Sequence, residues 1–390
     1  MNALVGNTSA SSGTPNNTTA AILAHILDQD RFSELIGEQV HATRVRIKPN
    51  VSVAASFAEE ATGTPVGWAR FLWPGSHPKA ERAQQWAERL GGAARTQQFS
   101  DDILLETGEI ATDPRLAKYI NRSFPGGISG DILRYNPLRR IVIHRGEEVV
   151  RISAQATQLN RWMHGFLAEH LAVSPRLDDG EDPHISVLRF VGDTDLSAVD
   201  DADATYRAGR LLATLHAISG RLPESQRDAL PVWDSDTGAR QAATHAAVLD
   251  ALDKPLAERL RGIAQRLPRP PQLPLVLAHG DASPDQFLLH RASGALWITD
   301  FDRLCVAPAS LDIGSYLAVA DDGAEEALLL GYRDGWQQHR RSPLRDLPAQ
   351  ALRAMLLRSL LARVADPLRG ADPAWRELMA DRIGRIEALL

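Results

Sequence analysis

The stretch LVLAHGDASPDQFLL, Leu275 to Leu289, continuing through ALWITDFDRLCVAPASLDIGSYL, Ala295 to Leu317, decides how this chain is read. An apolar run, LPLVLA, leads into His279-Gly280-Asp281. A second, FLLH, leaves a polar turn, and a third, ALWIT, leads into Asp300-Phe301-Asp302. Short apolar runs bounded by Gly, Pro and Asp read as strands. Two loops then deliver carboxylates from the ends of neighbouring strands, which brings Asp281 and Asp300 together from distant positions. Converging acids are what metal-assisted phosphate chemistry needs.

Phosphoryl transfer asks for a carboxylate beside the attacking hydroxyl and for Mg²⁺ held by hard oxygen ligands against the phosphates of ATP. Asp281 suits the first task. Gln286 offers a neutral amide oxygen to Mg²⁺, and Asp300 an anionic one. His279 is better placed to stiffen the loop than to act as base, because Asp281 follows it on the exposed turn. Asp312, with Gly314 behind it, begins a helix and anchors the loop from below. The plain alternative is a structural hairpin with incidental acids, and three motif elements in order argue against it.

The rest of the chain bounds the answer. Its 390 residues favour two lobes, and its 44% hydrophobic and 24% charged residues are those of an ordinary globular protein. A formal net charge of -6 gives no overall cationic field for a nucleic acid. The single cysteine, Cys305, fits a reducing compartment, and no run reaches the roughly 18 apolar residues of a membrane span. The expectation is a cytoplasmic protein with neither membrane nor nucleic acid as partner. The dozen histidines lack HExxH spacing, and Ser283 lacks the G-x-S-x-G elbow, so metal-hydrolase and serine-hydrolase chemistry have no foothold.

Residues 1–19, rich in Asn, Ser, Thr and Gly, read as a flexible tail. Helical spacing follows from Ala20 to Gly37. VRIKPNVSVAASF with GWARFLW, and ILRYNPLRRIVIH with VVRIS, alternate with period two and predict two small antiparallel sheets, with Gly146, Glu147 and Glu148 at a hairpin tip. Residues Ala154 to Leu171 predict a helix with Leu159, Trp162, Met163, Phe166 and Leu167 on one face. Beyond position 192 the pattern is mainly helical, broken at Pro343, Pro348, Pro367 and Pro373.

HGDASPDQ, ITDFD and LDIG together resemble the catalytic elements of the aminoglycoside phosphotransferase and choline-kinase-like superfamily, relatives of the protein kinases. Gln286 stands where most members carry Asn, which resembles the maltokinase-like branch. The resemblance implies an α+β, bilobal protein-kinase-like fold: an N-terminal cap over 20–130, a strand-rich lobe over 131–192 and a helical lobe over 193–390. It also implies ATP and Mg²⁺ as cofactors. Arg151 occupies the strand position of the usual ATP-contacting Lys, with Glu169 as its expected helix partner. Phe190 and Gly192 fall at the interlobe hinge, and Asn136 to Arg140 replaces a Gly-rich phosphate loop. Asp302, Asp321 and Asp322, with Asp281, are the candidates for touching the acceptor. The implied activity is transfer of the γ-phosphate to a hydroxyl of a sugar, aminosugar or aminoglycoside-like acceptor. The rival, motivated by Arg151 for Lys and Gln286 for Asn, is an inactive pseudokinase that only binds nucleotide.

Overall fold

Two antiparallel sheets precede a helical half, so the strand-rich and helix-rich parts divide where the sequence pattern changes. The computed structural model describes residues 15–48, 51–89, 91–156, 161–321, 323–338 and 347–390. Helices α1 (Pro15–Ile26) and α2 (Gln29–Ile36) open it. The first begins inside the stretch expected to be a tail, because Pro is tolerated in a helix's first turn and Ile22, Leu23 and Ile26 are buried. The second is capped at Asp28, whose carboxylate accepts from Arg31 N, and ends at Gly37 in the left-handed region.

The cap sheet follows: β1 (Val40–Lys48), β2 (Ser52–Glu59), β3 (Pro65–Leu72), helix α3 (Pro78–Arg89), β4 (Ala94–Ser100) and β5 (Ile103–Glu109), in the order β1-β2-β3-β5-β4. Strands β4 and β5 were not foreseen. β4 is an exposed polar edge, ARTQQFS, and offers almost no apolar period to read. Alternation splits β3 between two cores. Ala69 and Phe71 pack with Ile22, Leu23 and Phe32 of the first two helices, whereas Trp68 joins Ile141, Ile143, Val150 and Ile152 of the next sheet. The cap is therefore packed onto the lobe of the second sheet through a shared apolar layer.

That lobe contains α4 (Ala117–Ser123), β6 (Asp131–Asn136), β7 (Arg140–Arg145), β8 (Glu148–Ser153), α5 (Arg161–Ala168) and β9 (Ile185–Arg189), with its strands in the order β6-β7-β8-β9. The helix α5 is shorter than expected, and Trp162, assigned to its buried face, is exposed and stacks on Phe166. Leu159 lies outside the described residues.

The remaining elements are β10 (Thr194–Asp195), α6 (Ala202–Ala217), α7 (Glu224–Asp228), α8 (Thr237–Leu249), α9 (Lys254–Arg266), β11 (Leu275–Ala278), β12 (Phe287–His290), β13 (Ala295–Ile298), β14 (Cys305–Pro308), α10 (Ser310–Leu317), α11 (Ala324–Gln338), α12 (Ala349–Arg363), α13 (Asp366–Arg369) and α14 (Trp375–Leu389). Three glycines let α6 and α11 lie against each other; a Cβ on Gly331 would sit 1.9 Å from the Tyr206 carbonyl oxygen. Helices α8, α9, α12 and α14 share a second core. Contacts between β1 and α13 join the cap to this helical lobe as well. No helix among the described residues is long and apolar enough to cross a membrane.

Candidate active site

Strand β11 pairs with β14, and β12 pairs with β13, so the loops after β11 and β13 open on the same side. Gly280 has φ +82, and a Cβ there would lie 2.1 Å from the Arg303 carbonyl oxygen, so the first loop is pressed onto the second and only glycine fits. Asp312, fully buried in the first turn of α10, fastens the turn from beneath. Its Oδ2 accepts from His279 N (2.7 Å) and its Oδ1 from Gly280 N (2.8 Å). His216 Nε2 donates to Asp312 at 2.9 Å, and its Nδ1 is 2.8 Å from the Tyr332 hydroxyl. Burial alone would raise the Asp312 pKa, but the His216 hydrogen bond and charge, His279 and the Gly280 amide outweigh it and hold the carboxyl below its ordinary value. His279 is sealed from solvent, with Nε2 donating to the Thr299 carbonyl at 2.8 Å and its ring against Phe301. It positions the loop and does not face the cleft.

The two loops form one wall of a cleft of about 730 Å³ that Asp281, Gln286, Asp300 and Asp302 all line. Asp281 accepts from Arg363 Nη2 at 2.9 Å and has Arg303 Nη1 at 3.3 Å. Gln286 turns its amide nitrogen toward Asp285. Asp300 sits in the left-handed region (φ 59), which Asp tolerates better than most residues. Its Oδ1 accepts from Arg151 Nη1 (3.0 Å) and Arg140 Nη1 (3.1 Å), and both arginines also bind Asp302. Burial would raise Asp300, yet Arg151, Arg140 and His279 together hold it far below the carboxylate range.

Arg151 thus faces the site, but through carboxylates. Glu169, its expected partner, is exposed just past the last turn of α5, because the buried face of that helix carries Met163, His164, Phe166 and Leu167. The Arg151–Glu169 pair is not formed. His164 lines a small cavity with Arg151 and Asp300 and contacts the Ser174 carbonyl. At the hinge, Phe190 is half exposed and stacks on His144, while Gly192 (φ +75) lies where a Cβ would crowd Leu288. Asp321 is exposed ahead of α11 and does not line the cleft; Asp322 is outside the described residues.

Residues that sequence reasoning passed over complete the site. Arg140 begins β7 at the end of the segment expected to replace a phosphate loop, but its contacts with Asp300 and Asp302 were not foreseen. Asp113, buried in the cap, accepts from Leu138 N (2.7 Å) and the Tyr135 hydroxyl (2.8 Å), and Arg46 of β1 donates to the Leu138 carbonyl. The cap therefore holds the β6–β7 turn. Arg363 comes from α12, far along the chain, where a lone helix arginine reads as a solvated residue.

A donor set of one carboxylate and one amide oxygen fits Mg²⁺, which takes few protein ligands and completes its shell with phosphates and water. Among the described residues no group of three His, Cys, Asp or Glu side chains forms a self-sufficient metal centre.

Known structures similar to this chain include a choline/ethanolamine kinase family protein from Mesorhizobium loti, at 18% identity over 68% of this chain and 89% of that one, with a TM-score of 0.48. The GDP complex of aminoglycoside 2'-phosphotransferase-IIIa is 21% identical over 70% of this chain and 97% of its own (TM-score 0.48). A macrolide 2'-phosphotransferase from Brachybacterium faecium is 16% identical, covering 77% and 97% (TM-score 0.43). No curated protein matches the sequence. The phosphotransferase enzyme family model matches residues 139–368, from the turn before Arg140 through the loops carrying Asp281 and Asp300 to α13, and the chain belongs to that family.

Proposed function

We propose that the protein is an ATP-dependent kinase that moves the γ-phosphate to a hydroxyl of a sugar, aminosugar or similar polyhydroxylated acceptor. The observation that carries this reading is the convergence of Asp281, Gln286 and Asp300 on one cleft large enough for a nucleotide and a small acceptor. Asp281 orients the acceptor hydroxyl and takes its proton as the new O–P bond forms and the bond to the ADP oxygen breaks. Gln286 and Asp300 hold Mg²⁺, which offsets charge on the transferred group. Arg140 and Arg151, which Asp300 and Asp302 engage, lie where they exchange carboxylate for nucleotide phosphate.

The test is ADP release from Mg-ATP against sugars, aminosugars and aminoglycosides. Asp281→Asn is expected to lower acceptor-stimulated release by about a thousandfold while leaving Mg-ATP affinity nearly unchanged. Turnover retained in that variant would remove Asp281 from the role. One observation favours the inactive alternative: two guanidinium groups already occupy Asp300. Absence of metal-dependent nucleotide binding would establish it.

A further inference from the structure

The chain as a whole is anionic, yet the cleft is lined by nine arginines and five aspartates. Part of that excess serves the carboxylates of the two loops: Arg140, with Arg151 from outside the cleft lining, holds Asp300 and Asp302, and Arg303 and Arg363 hold Asp281. Beyond Asp281 lies a second group, Arg44 from β1 of the cap, Arg369 from α13 and Arg382 from α14. One carboxylate, Asp366, serves all three. Arg369 Nη1 is 3.4 Å from it, Arg382 Nη1 is 4.0 Å from it, and Arg44 feels it only through space. Arg382 otherwise donates to the Arg363 carbonyl, and Arg369 to the ring of His245, both neutral acceptors.

Arg44 is the member least provided for. Among the described residues no hydrogen bond or ion pair is made by its guanidinium, although the side chain is half-buried in the cleft wall. Burial first, and then Arg134, Arg369 and Arg140 around it, depress its pKa to about 10, and Asp366 offsets this only in part. Arginines gathered without enough counter-charge are the usual provision for a bidentate oxyanion. On the kinase reading a magnesium nucleotide does not fill the need, since it would bind against the Asp300 loop and bring its own cation. The aspartate that orients the acceptor, by contrast, is linked to this group directly, through Arg363.

Resting on the kinase reading above, we infer that the acceptor carries an oxyanion, a phosphate, sulfate or carboxylate group, which Arg44, Arg369 and Arg382 bind while its hydroxyl meets Asp281. The same cations disfavour a polycationic acceptor, which would meet arginines where it needs acids.

The probe is inorganic sulfate, titrated by calorimetry into the full chain saturated with Mg²⁺ and a non-hydrolysable ATP analogue. Sulfate is expected to bind, and Arg44→Gln and the exposed Arg382→Gln to weaken it by about tenfold or more with nucleotide affinity unchanged. Glucose 1-phosphate or glucose 6-phosphate should displace sulfate at lower concentration than inorganic phosphate does, and glucose should not displace it. No sulfate binding, equal binding in both variants, or inorganic phosphate as the best competitor would each overturn the inference. If the chain fails to bind the magnesium nucleotide, the kinase reading fails separately, and sulfate titration of the nucleotide-free protein and its two variants still decides the arginine site.

Discussion

Arg70 and Glu106 face each other across β3 and β5 in the cap, directly opposed in register and sealed from solvent. Arg140 and Arg151 face Asp300 and Asp302 on the cleft wall, where every partner keeps some exposure. In the cap, one guanidinium serves one carboxylate: Arg70 Nε lies 2.8 Å from Oε2, and Oε1 is buried without a partner. Burial prevails over Arg70 there and lifts the Glu106 carboxyl to about 7. In the cleft, two guanidiniums converge on Asp300 and burial loses, so that carboxylate stays anionic at any working pH. The contrast is between a pair that neutralises when disturbed and one whose charge is kept available for exchange with another cation.

Breaking the cleft arrangement should give the larger effect. Asp300→Asn keeps the shape and removes the charge, and is expected to lower turnover by about a thousandfold and weaken Mg-ATP binding. Steady-state kinetics and calorimetry with Mg-ATP check this; activity within tenfold of the parent would mean that Asp300 is not a metal ligand.

The cap pair should show in stability and not in catalysis. Arg70→Met strands Glu106 and is expected to cost about 3 kcal/mol in urea unfolding at pH 8. The sign with pH follows from the raised carboxyl. From pH 4.5 to 7 the native state holds a proton the unfolded chain has released, so stability from this group falls as pH rises. The loss in Arg70→Met should therefore be smaller at pH 5, and the double change Arg70→Met with Glu106→Leu should restore most of it. An equal loss at both pH values would show that Glu106 does not change its protonation.

The cleft half of this comparison was legible in the sequence because HGDASPDQ and ITDFD are local: strand, loop and carboxylate follow within a few residues, and Gly280 marks the close approach. The fold was legible for a similar reason, since period-two runs such as RRIVIH and helical runs such as AGRLLATLHAI name their own elements. What was not legible depends on distant partners. Glu169 was the only acid between Arg151 and Asp178 in the chain, but Arg151 finds Asp300 and Asp302 through the packing of two lobes, an arrangement no spacing encodes. Arg44, Arg363, Arg369 and Arg382 come from one strand and three helices, and each alone reads as solvated. Arg44 joins the other three because β1 lies against α13.

A third arginine contact sharpens the comparison, because its partner is a base. Arg369 Nη2 donates to His245 Nε2 at 2.7 Å, and His245, buried in α8, is pushed down to about 4 by burial first and then by the arginine. The imidazole is neutral in the native state. As pH falls below its ordinary 6.5, the unfolded chain takes a proton that the folded chain refuses, so the cost is absent above 6.5 and grows toward 4. Between pH 7 and 5.5 this group should remove about 1 kcal/mol of stability, while protonation of Glu106 over the same interval adds a comparable amount. The two opposed slopes nearly cancel in the parent protein. They separate in single variants: urea unfolding should show Glu106→Gln losing stability toward pH 5.5 and His245→Gln gaining it. Parallel pH profiles for the two variants would mean that neither buried group titrates in the native fold as its surroundings require.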